Sequence, residues 1–311
     1  MIYTVTLNPA IDKTVEIPDF TAGKVNRVCS LRLDAGGKGI NVTKCLKNLG
    51  TQSIAAMLCG GSSGEKLLAM LARQQVQTLA LSVPGETRTN LKIIDPAGKT
   101  NTDINEPGPE VTPDILDTLK HTIGERIQPG DGVILSGSLP KGASADTYRN
   151  WCGYFRSLGA RVYLDADGEA MKQGITAVPY TIKPNDEELS RLMGRPVDTL
   201  EELVQAGKEL LATGIQEVVI SLGSKGALFV SREGIYLAQA LQVPVRSTVG
   251  AGDSMVAAMA YGGEKQLPRQ QLIRLAVAIG AASVMCDGTQ APDAETVHTL
   301  AKEVIIQEVN L

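Results

Sequence analysis

The chain has 311 residues, of which 43% are hydrophobic and 21% are charged. This length suffices for a substantial buried core in one large domain or two. Thirty basic and 34 acidic residues leave a formal net charge of −4 at pH 7, without long charged blocks. Such a balance argues against nucleic-acid and membrane-surface binding. We therefore expect small molecules, or a second copy of the chain, as partners.

Residue usage excludes several kinds of chemistry. The sequence contains two histidines and five cysteines, with no C-x-x-C pair. Histidine-based catalysis, histidine-rich metal sites and a disulfide framework are therefore not expected. The N-terminus enters strand-like alternation without a basic leader, and no segment offers the ~18 consecutive apolar residues of a membrane span. These features predict a cytoplasmic protein.

In chain order, an N-terminal strand is followed by an extended, polar-alternating segment at residues ~10–33. A second segment of this kind spans residues ~87–105. Because neither shows long helical periodicity, we expect the two segments to pair in a small separate sheet. Arg88, Asn90 and Lys92 then share one face of a strand, although a solvated edge strand has the same pattern.

A glycine-rich turn, Gly36-Gly37-Lys38-Gly39, lies between these segments and precedes a helix predicted from Val42 to Leu49. The turn is not a P-loop, because a glycine follows the lysine and no Ser or Thr is positioned to hold Mg²⁺. A helix start with Lys38 beside it is suited to an anion. Glycines needed only for close packing of helix and strand would give the same sequence.

Four short apolar runs alternate with helical periodicity and end in Gly, Asp or Asn: residues 133–137, 162–165, 180–185 and 218–223. This pattern is typical of a parallel sheet covered by helices on both faces, with ligands at the carboxyl ends of the strands. Asn185 and Glu188 follow the third run and suit Mg²⁺, although a helix-capping pair has the same spacing. The turn from Ser221 to Gly226 suits a nucleotide or a plain hairpin.

The most informative segment is Thr248-Val249-Gly250-Ala251-Gly252-Asp253-Ser254, which precedes an apolar run. The two glycines and the unpaired amides of a first helical turn predict an anion-binding helix start. A carboxylate at this place either stabilises its own helix or takes a proton from a group that is becoming negative. The second role for Asp253 is that of a base in phosphoryl transfer.

Taken in this order, the motifs resemble the ribokinase and phosphofructokinase B family of sugar kinases. The resemblance covers essentially the whole chain, and the motifs that carry it are Thr6 to Asp12, Gly36 to Asn41, Gly85 to Arg88, Ser136 to Pro140, Lys183 to Asn185 with Glu188, Ser221 to Gly223, and Thr248 to Ser254. It implies a ribokinase-like α/β fold with a mainly parallel central sheet and helices on both faces. A single kinase domain of residues 1–311 would carry a small β-sheet lid from residues ~10–33 and ~87–105, through which a homodimer is expected.

Within the family, the Gly-Gly-Lys-Gly turn and the opening Asn8-Pro9-Ala10-Ile11-Asp12 are similar to the branch that acts on hexose phosphates. The resemblance implies ATP-dependent phosphorylation of fructose 1-phosphate at its C6 hydroxyl. Tagatose 6-phosphate and fructose 6-phosphate are the alternative substrates. A sugar-phosphate-binding regulator without turnover is a competing hypothesis, and a nicotinamide dehydrogenase ranks last because no G-x-G-x-x-G follows the first strand.

The resemblance also assigns roles to individual residues. Asp253 is implied as the general base, and the amides of Gly250, Ala251 and Gly252 are implied to stabilise the transferring phosphoryl group. Sugar-phosphate binding is assigned to Asp12, Lys24, Arg27, Gly37, Lys38, Asn41, Arg88, Asn90 and Ser138, of which Lys38 and Arg88 would hold the existing phosphate. The ATP side is assigned to Lys183, Asn185, Ser221, Gly223 and Gly226, with Mg²⁺ at Asn185 and Glu188.

Overall fold

The computed structural model describes residues 1–310. Its strands are β1 (Ile2–Thr6), β2 (Ala10–Glu16), β3 (Ser30–Gly36), β4 (Ser53–Cys59), β5 (Gln77–Ser82), β6 (Arg88–Asp95), β7 (Thr100–Asn105), β8 (Gly132–Ser136), β9 (Arg161–Asp165), β10 (Thr181–Ile182), β11 (Glu217–Ser221), β12 (Ala227–Ser231), β13 (Gly234–Ala238) and β14 (Ile306–Glu308). Its α-helices are α1 (Lys38–Asn48), α2 (Gly61–Arg73), α3 (Pro113–Gly124), α4 (Thr147–Ser157), α5 (Gly168–Gly174), α6 (Asp186–Met193), α7 (Leu200–Ala212), α8 (Ala251–Lys265), α9 (Arg269–Val284) and α10 (Ala294–Ala301).

A large sheet has the strand order β14-β13-β12-β11-β10-β9-β8-β1-β4-β5. The strands from β11 to β5 pair in parallel, whereas β12, β13 and β14 add antiparallel strands at one end. The mainly parallel sheet predicted from the alternating runs is confirmed. None of the helices formed by residues 1–310 combines the length and apolar character that a membrane crossing requires.

Helices cover both faces of this sheet, as β8 illustrates. Val133 and Leu135 pack into one hydrophobic cluster with Trp151 of α4, whereas Ile134 packs into another with Ala257 of α8. Because both faces are buried, the strand contains a continuous apolar run rather than an alternating one.

A second sheet has the order β3-β2-β6-β7, with β2 parallel to β6 and the other pairs antiparallel. The separate small sheet predicted from the two extended segments is therefore present. Strand β3 continues to Gly36, beyond the predicted end of its segment, because Asp34 pairs with Asp12 and Gly36 with Ala10. The predicted helix also begins earlier, at Lys38, so Lys38 lies in its first turn and not in the preceding loop.

The parallel strands β11, β10, β9, β8 and β1 end at one edge of the large sheet. Polar side chains at or just beyond these ends belong to Ser221, Lys183, Asp165, Ser138 and Asn8. This edge is where open α/β sheets bind their ligands. The small sheet meets this edge through Arg88, which donates to the Asn8 carbonyl, and the start of α8 is joined to α1 by the hydrogen bond from Asn41 to Asp253.

Candidate active site

Asp253 occupies the first turn of α8, after Gly250 turns the chain with a left-handed φ of 88°. Asp253 is only 6% exposed to solvent. The carboxylate accepts a hydrogen bond from Asn41 Nδ2 over 2.8 Å, which fixes it against α1. Burial, followed by the negative charge of Asp165, raises the pKa of Asp253 to about 6. The group is therefore ionised at neutral pH but holds a proton more readily than an exposed aspartate, as a general base requires.

Asp165, at the end of β9, links two lysines. Its Oδ1 atom lies 3.4 Å from Lys38 Nζ and 3.5 Å from Lys183 Nζ. Burial alone would raise the pKa of Asp165, but the ammonium groups of Lys183 and Lys38 hold it below its ordinary value. In turn, the Asp165 charge raises the pKa of Lys38. The result is a buried carboxylate that holds two cations beside Asp253.

Lys38 and Arg88, predicted to hold one phosphate together, contact different groups. Lys38 interacts with the charges of Asp165, Asp253 and Glu188, at the carboxyl edge of the large sheet. Arg88 instead donates from Nε and Nη2 to the Asn8 carbonyl, over 3.3 and 3.0 Å, and from Nη1 to the Glu106 carbonyl. Lys38 is therefore positioned on the side of Asp253, because α1 begins at Lys38 and directs it toward β9.

A cavity of about 230 Å³, lined mainly by polar residues, lies between the small sheet and the loop that leads into α8. Cross-strand pairing aligns Asp34, Asp12, Asn90 and Asn105 in one row across the four strands. These four side chains line the cavity together with Val249. Asn90 Nδ2 donates to Asp12 Oδ1 over 3.0 Å, and burial raises the pKa of Asp12. Carboxylate and amide groups in this arrangement suit the hydroxyls of a sugar.

Lys44 connects this cavity to Asp253. Lys44 belongs to α1 and is buried. Its ammonium group donates to the Ala35 carbonyl of β3 and interacts with the charges of Asp34, Asp12 and Asp253. Burial lowers the pKa of Lys44. Asp253 itself does not line the cavity, so the two parts of the candidate site are neighbours joined by this lysine.

The remaining predicted sugar-phosphate residues are placed as follows. Gly37 precedes α1 with a left-handed φ of 120°. Ser138 Oγ lies 3.5 Å from Asn8 Nδ2, at the carboxyl edge of the sheet. Lys24 and Arg27 are exposed on the loop between β2 and β3 and do not line the cavity.

Asn185 and Glu188 form a capping box at the start of α6. Asn185 Oδ1 accepts from the Glu188 amide over 2.7 Å, and Glu188 Oε2 accepts from the Asn185 amide over 2.9 Å. The capping interpretation of this pair is therefore confirmed. The cap uses Glu188 Oε2, which leaves Oε1 of the same carboxylate for another ligand.

The other residues predicted for the nucleotide lie beside this cap. Lys183 follows β10, and Ser221 ends the adjacent strand β11. Asn185 forms an isolated β-bridge with Ser221. The turn from Gly223 to Gly226 joins β11 to β12 in an antiparallel hairpin. At Gly226, with a φ of 109°, a Cβ would lie 2.0 Å from the Ala238 carbonyl oxygen, so glycine is required there by packing.

Comparison with known proteins decides the family. A family model described as pfkB family carbohydrate kinase matches residues 4–296. The chain belongs to the pfkB family. A 1-phosphofructokinase from Rhodobacter capsulatus is 38% identical over 307 residues, covering 98% of this chain and 97% of that protein. The Bacillus subtilis 1-phosphofructokinase is 37% identical over 308 residues, covering 98% of each. The phosphofructokinase-2 of Escherichia coli, solved in complex with fructose-6-phosphate, superimposes with a TM-score of 0.90 at 29% identity, covering 97% and 98% of the two chains.

Family membership makes this chain an ATP-dependent sugar kinase with the fold predicted from its motifs. Two prominent residues of the site were missed by the sequence analysis. Asp165 offered one signal, an acidic residue closing a buried strand at the ligand-binding edge. Lys44 offered none, because it lies beside the apolar stripe of α1 and its partners come from β2, β3 and α8.

The close approach of α1 to β1 gives a prediction about Gly39. A Cβ at Gly39 would lie 2.5 Å from Thr6 Oγ1 and 2.8 Å from the Val5 carbonyl oxygen. Gly39→Ala must displace the helix that carries Lys38 and Asn41. We expect the free energy of unfolding to fall by about 1–3 kcal/mol, as for overpacked cores, in urea titrations.

The matched control is Gly153→Ala in α4, where no atom lies within 4 Å of the added Cβ. Alanine has the higher helix propensity, so this variant should gain roughly 0.5–1 kcal/mol. Equal unfolding free energies for the two variants would contradict the packing assigned to Gly39.

Proposed function

We propose that this protein transfers the terminal phosphoryl group of ATP to the C6 hydroxyl of fructose 1-phosphate, giving fructose 1,6-bisphosphate, with Asp253 as general base. The observation that carries the proposal is the buried Asp253 carboxylate at a glycine-marked helix start, with its pKa raised to about 6. The relatives of this protein that are named 1-phosphofructokinase match nearly the whole chain, which supports fructose 1-phosphate as the substrate.

In the proposed reaction, Asp253 accepts the proton of the C6 hydroxyl as the oxygen attacks the terminal phosphorus of ATP. The oxygen–phosphorus bond forms while the bond to the departing ADP oxygen breaks. The amides of Gly250, Ala251 and Gly252 point from the first turn of α8 toward the negative charge on the transferring group. Lys38 and Lys183 add positive charge at the same place. Phosphoryl transfer needs alignment and charge neutralisation, which these groups supply.

Mg²⁺ fits the residues at the nucleotide side. Within residues 1–310 no three acidic, histidine or cysteine side chains form a ready-made metal cage. Mg²⁺ usually keeps several waters and binds one or two carboxylates together with phosphate oxygens. Glu188 Oε1 and the buried Asp165 Oδ2, which lacks a hydrogen-bond partner among the described residues, suit such a site. When bound, the ion would neutralise phosphate charge; Glu188 and Asn185 would hold its water shell.

For the sugar, we propose that Asp12, Asn41 and Asn90 bind hydroxyls and that Arg88 binds the existing phosphate. Asn41 Oδ1 and Asn90 Oδ1 are buried without hydrogen-bond partners among the described residues, so both can accept a hydrogen bond from a sugar hydroxyl. Gly37 and Ser138, with Lys24 and Arg27 on the adjoining loop, complete the proposed substrate side. Lys183, Ser221, Gly223 and Gly226 form the proposed ATP side.

The role of Arg88 gives a measurable prediction. Arg88→Ala should raise the KM for the sugar phosphate roughly tenfold or more, the value of a charge-assisted hydrogen bond. The KM for ATP should stay near the wild-type value. Steady-state kinetics with each substrate varied in turn checks this, with Arg73→Ala on the exposed end of α2 as control. Equal increases in both KM values would mean that Arg88 does not contact the substrate phosphate.

ADP release with fructose 1-phosphate, tagatose 6-phosphate and fructose 6-phosphate tests the substrate. We expect the highest kcat/KM with fructose 1-phosphate. The E. coli relative solved with fructose-6-phosphate favours the third sugar as a second candidate. Faster turnover of tagatose 6-phosphate or fructose 6-phosphate would reassign the substrate. Sugar-phosphate binding without ADP release would instead favour the regulator hypothesis.

We also propose that the small sheet acts as a lid and forms a homodimer contact. Its outer face carries Leu31 and Ile104, which are 54% and 52% exposed. Ile104→Asp should shift the protein to a monomer in sedimentation equilibrium, because it places a charge in the apolar contact. A monomeric wild type, or a dimer unaffected by the change, would contradict this contact. The cytoplasmic location stays a prediction from the sequence.

A further inference from the structure

A second cavity, of about 470 Å³, lies at the opposite edge of the large sheet from the candidate active site. It is lined by Arg161 and Glu217, the first residues of β9 and β11, and by Tyr180, which precedes β10. The same strands carry Asp165 and Ser221 at their other ends. The volume falls within the range of about 300–1,000 Å³ that is usual for small-molecule sites. None of the catalytic or substrate-binding residues proposed above lines it.

Positively charged groups outnumber negatively charged groups around this cavity. Three guanidinium groups line it, those of Arg161, Arg232 and Arg269, against the carboxylates of Glu217 and Glu233. Glu217 is buried and forms an ion pair with Arg269. Within residues 1–310, neither Arg161 nor Arg232 forms an ion pair with a carboxylate. The Nε and Nη2 atoms of Arg269 are buried and lack hydrogen-bond partners among the described residues.

The geometry of the wall favours a planar or tetrahedral anion. The Arg161 guanidinium lies over the Tyr180 ring, 5.8 Å from its centroid, and its Nη1 donates to the Gly263 carbonyl over 2.6 Å. Arg161 also forms a side-chain hydrogen bond with Tyr163. These contacts orient the guanidinium group, whose five N–H donors exceed the partners it has in the protein. Arginine presents two parallel N–H groups that match a carboxylate or a phosphate.

The cavity is also connected to the catalytic groups through shared secondary structure. Gly262 and Gly263 near the end of α8 line the cavity, whereas Asp253 lies in the first turn of the same helix. Strand β9 likewise runs from Arg161 at the cavity to Asp165 between the two lysines. A ligand that moved these elements at one end would change the position of Asp253 or Asp165 at the other.

We propose that this cavity binds a small effector that carries a carboxylate or phosphate group, and that its occupancy changes the rate of phosphoryl transfer. Arg161 and Arg232 contact the anionic group, and Tyr180 forms one wall of the site. The binding site itself is independent of which sugar phosphate the enzyme phosphorylates.

Isothermal titration calorimetry with inorganic phosphate and, separately, with succinate tests the proposal. The proteins are the wild type, Arg161→Gln, Arg232→Gln and the control Arg73→Gln, which removes an exposed charge on α2. Arg232 lies in the exposed turn between β12 and β13, so its variant should fold normally. An ion that binds only at the active site would bind all four proteins alike. We expect one probe or both to bind the wild type and the control, and to bind each cavity variant about tenfold more weakly.

The same probes are then added to kinase assays at saturating ATP and sugar phosphate. The probe that binds should change kcat of the wild type by about fivefold, a usual size for coupling between sites, and should leave kcat of Arg161→Gln unchanged. Binding of phosphate alone would identify a phosphate-bearing effector, and binding of succinate alone a carboxylate-bearing one. Affinities equal in all four proteins, absence of binding at millimolar concentrations, or binding without any change in kcat would overturn the proposal.

Discussion

Asp253→Asn should lose turnover by a factor on the order of 10³, the usual contribution of a general base. The amide has the shape of the carboxyl group but cannot accept the proton of the sugar hydroxyl. The pockets for ATP and the sugar phosphate are spared, so both should bind with nearly unchanged affinity. Steady-state kinetics and equilibrium binding to the same preparation check the two halves of this expectation. Near-normal kcat would reject Asp253 as the base.

The same variant should be more stable than the wild type at neutral pH. Asp253 has a pKa of about 6 in the folded protein and an ordinary value of 3.8. The folded state therefore binds this proton more tightly than the unfolded chain, and the ionised carboxylate destabilises the fold above pH 6. Replacing it with a neutral amide should raise the free energy of unfolding by about 3 kcal/mol at pH 7, the free energy that corresponds to the difference between these two pKa values.

Urea titrations over a pH series measure this gain. The difference in the free energy of unfolding between Asp253→Asn and the wild type should be largest above pH 6. It should shrink as the pH falls, because the wild-type carboxyl group then becomes protonated. Glu65→Gln, the same chemical change on the exposed surface of α2, should show no such dependence. A loss of activity together with a loss of stability would indicate a structural role for Asp253.

Asp165→Asn should have the opposite effect on stability. The variant leaves Lys183, which is 7% exposed, and Lys38 without their shared counter-charge. Breaking a buried ion pair from one side costs about 3–5 kcal/mol, so the free energy of unfolding should fall by about that amount at neutral pH. The folded protein holds the pKa of Asp165 below its ordinary value, so the ionised carboxylate stabilises the fold at every pH above that ordinary value. Asp165→Asn removes this stabilisation.

Turnover of Asp165→Asn should fall on the order of 100-fold, because misplaced lysines no longer align the phosphoryl group. The pKa of Asp253 should also decrease, since the negative charge of Asp165 is one cause of its elevation. The acid limb of kcat/KM should therefore move to lower pH, with Glu65→Gln as control. An unshifted limb with reduced kcat would mean that Asp165 positions the lysines without influencing Asp253.

Much of the fold could be predicted from local sequence, because each local preference agreed with the tertiary structure. Buried runs such as residues 133–137 and 162–165 formed the parallel strands, and the two extended segments formed the separate sheet. The antiparallel strands β13 and β14 at the end of the large sheet were not predicted. Their pairing joins residues far apart in the chain, such as Tyr236 and Glu308, which no local pattern indicates.

The candidate site was predictable where one segment carries its chemistry. Gly250 to Asp253 contains both the turn and the carboxylate, so the helix start was recognised directly. Asp165 was missed because its two lysines come from α1 and from the end of β10. The position of Lys38 was missed because its glycine-rich surroundings have low helix propensity, and packing against β1 starts the helix earlier.

The pH dependence of kcat/KM for fructose 1-phosphate tests most directly whether Asp253 takes the proton of the substrate. This parameter reports ionisations of the free enzyme. We predict that the wild type loses activity on the acid side with an apparent pKa near 6, as the buried carboxyl group becomes protonated. A profile that stays flat well below pH 6, or an acid limb that persists unchanged in the residual activity of Asp253→Asn, would contradict this role.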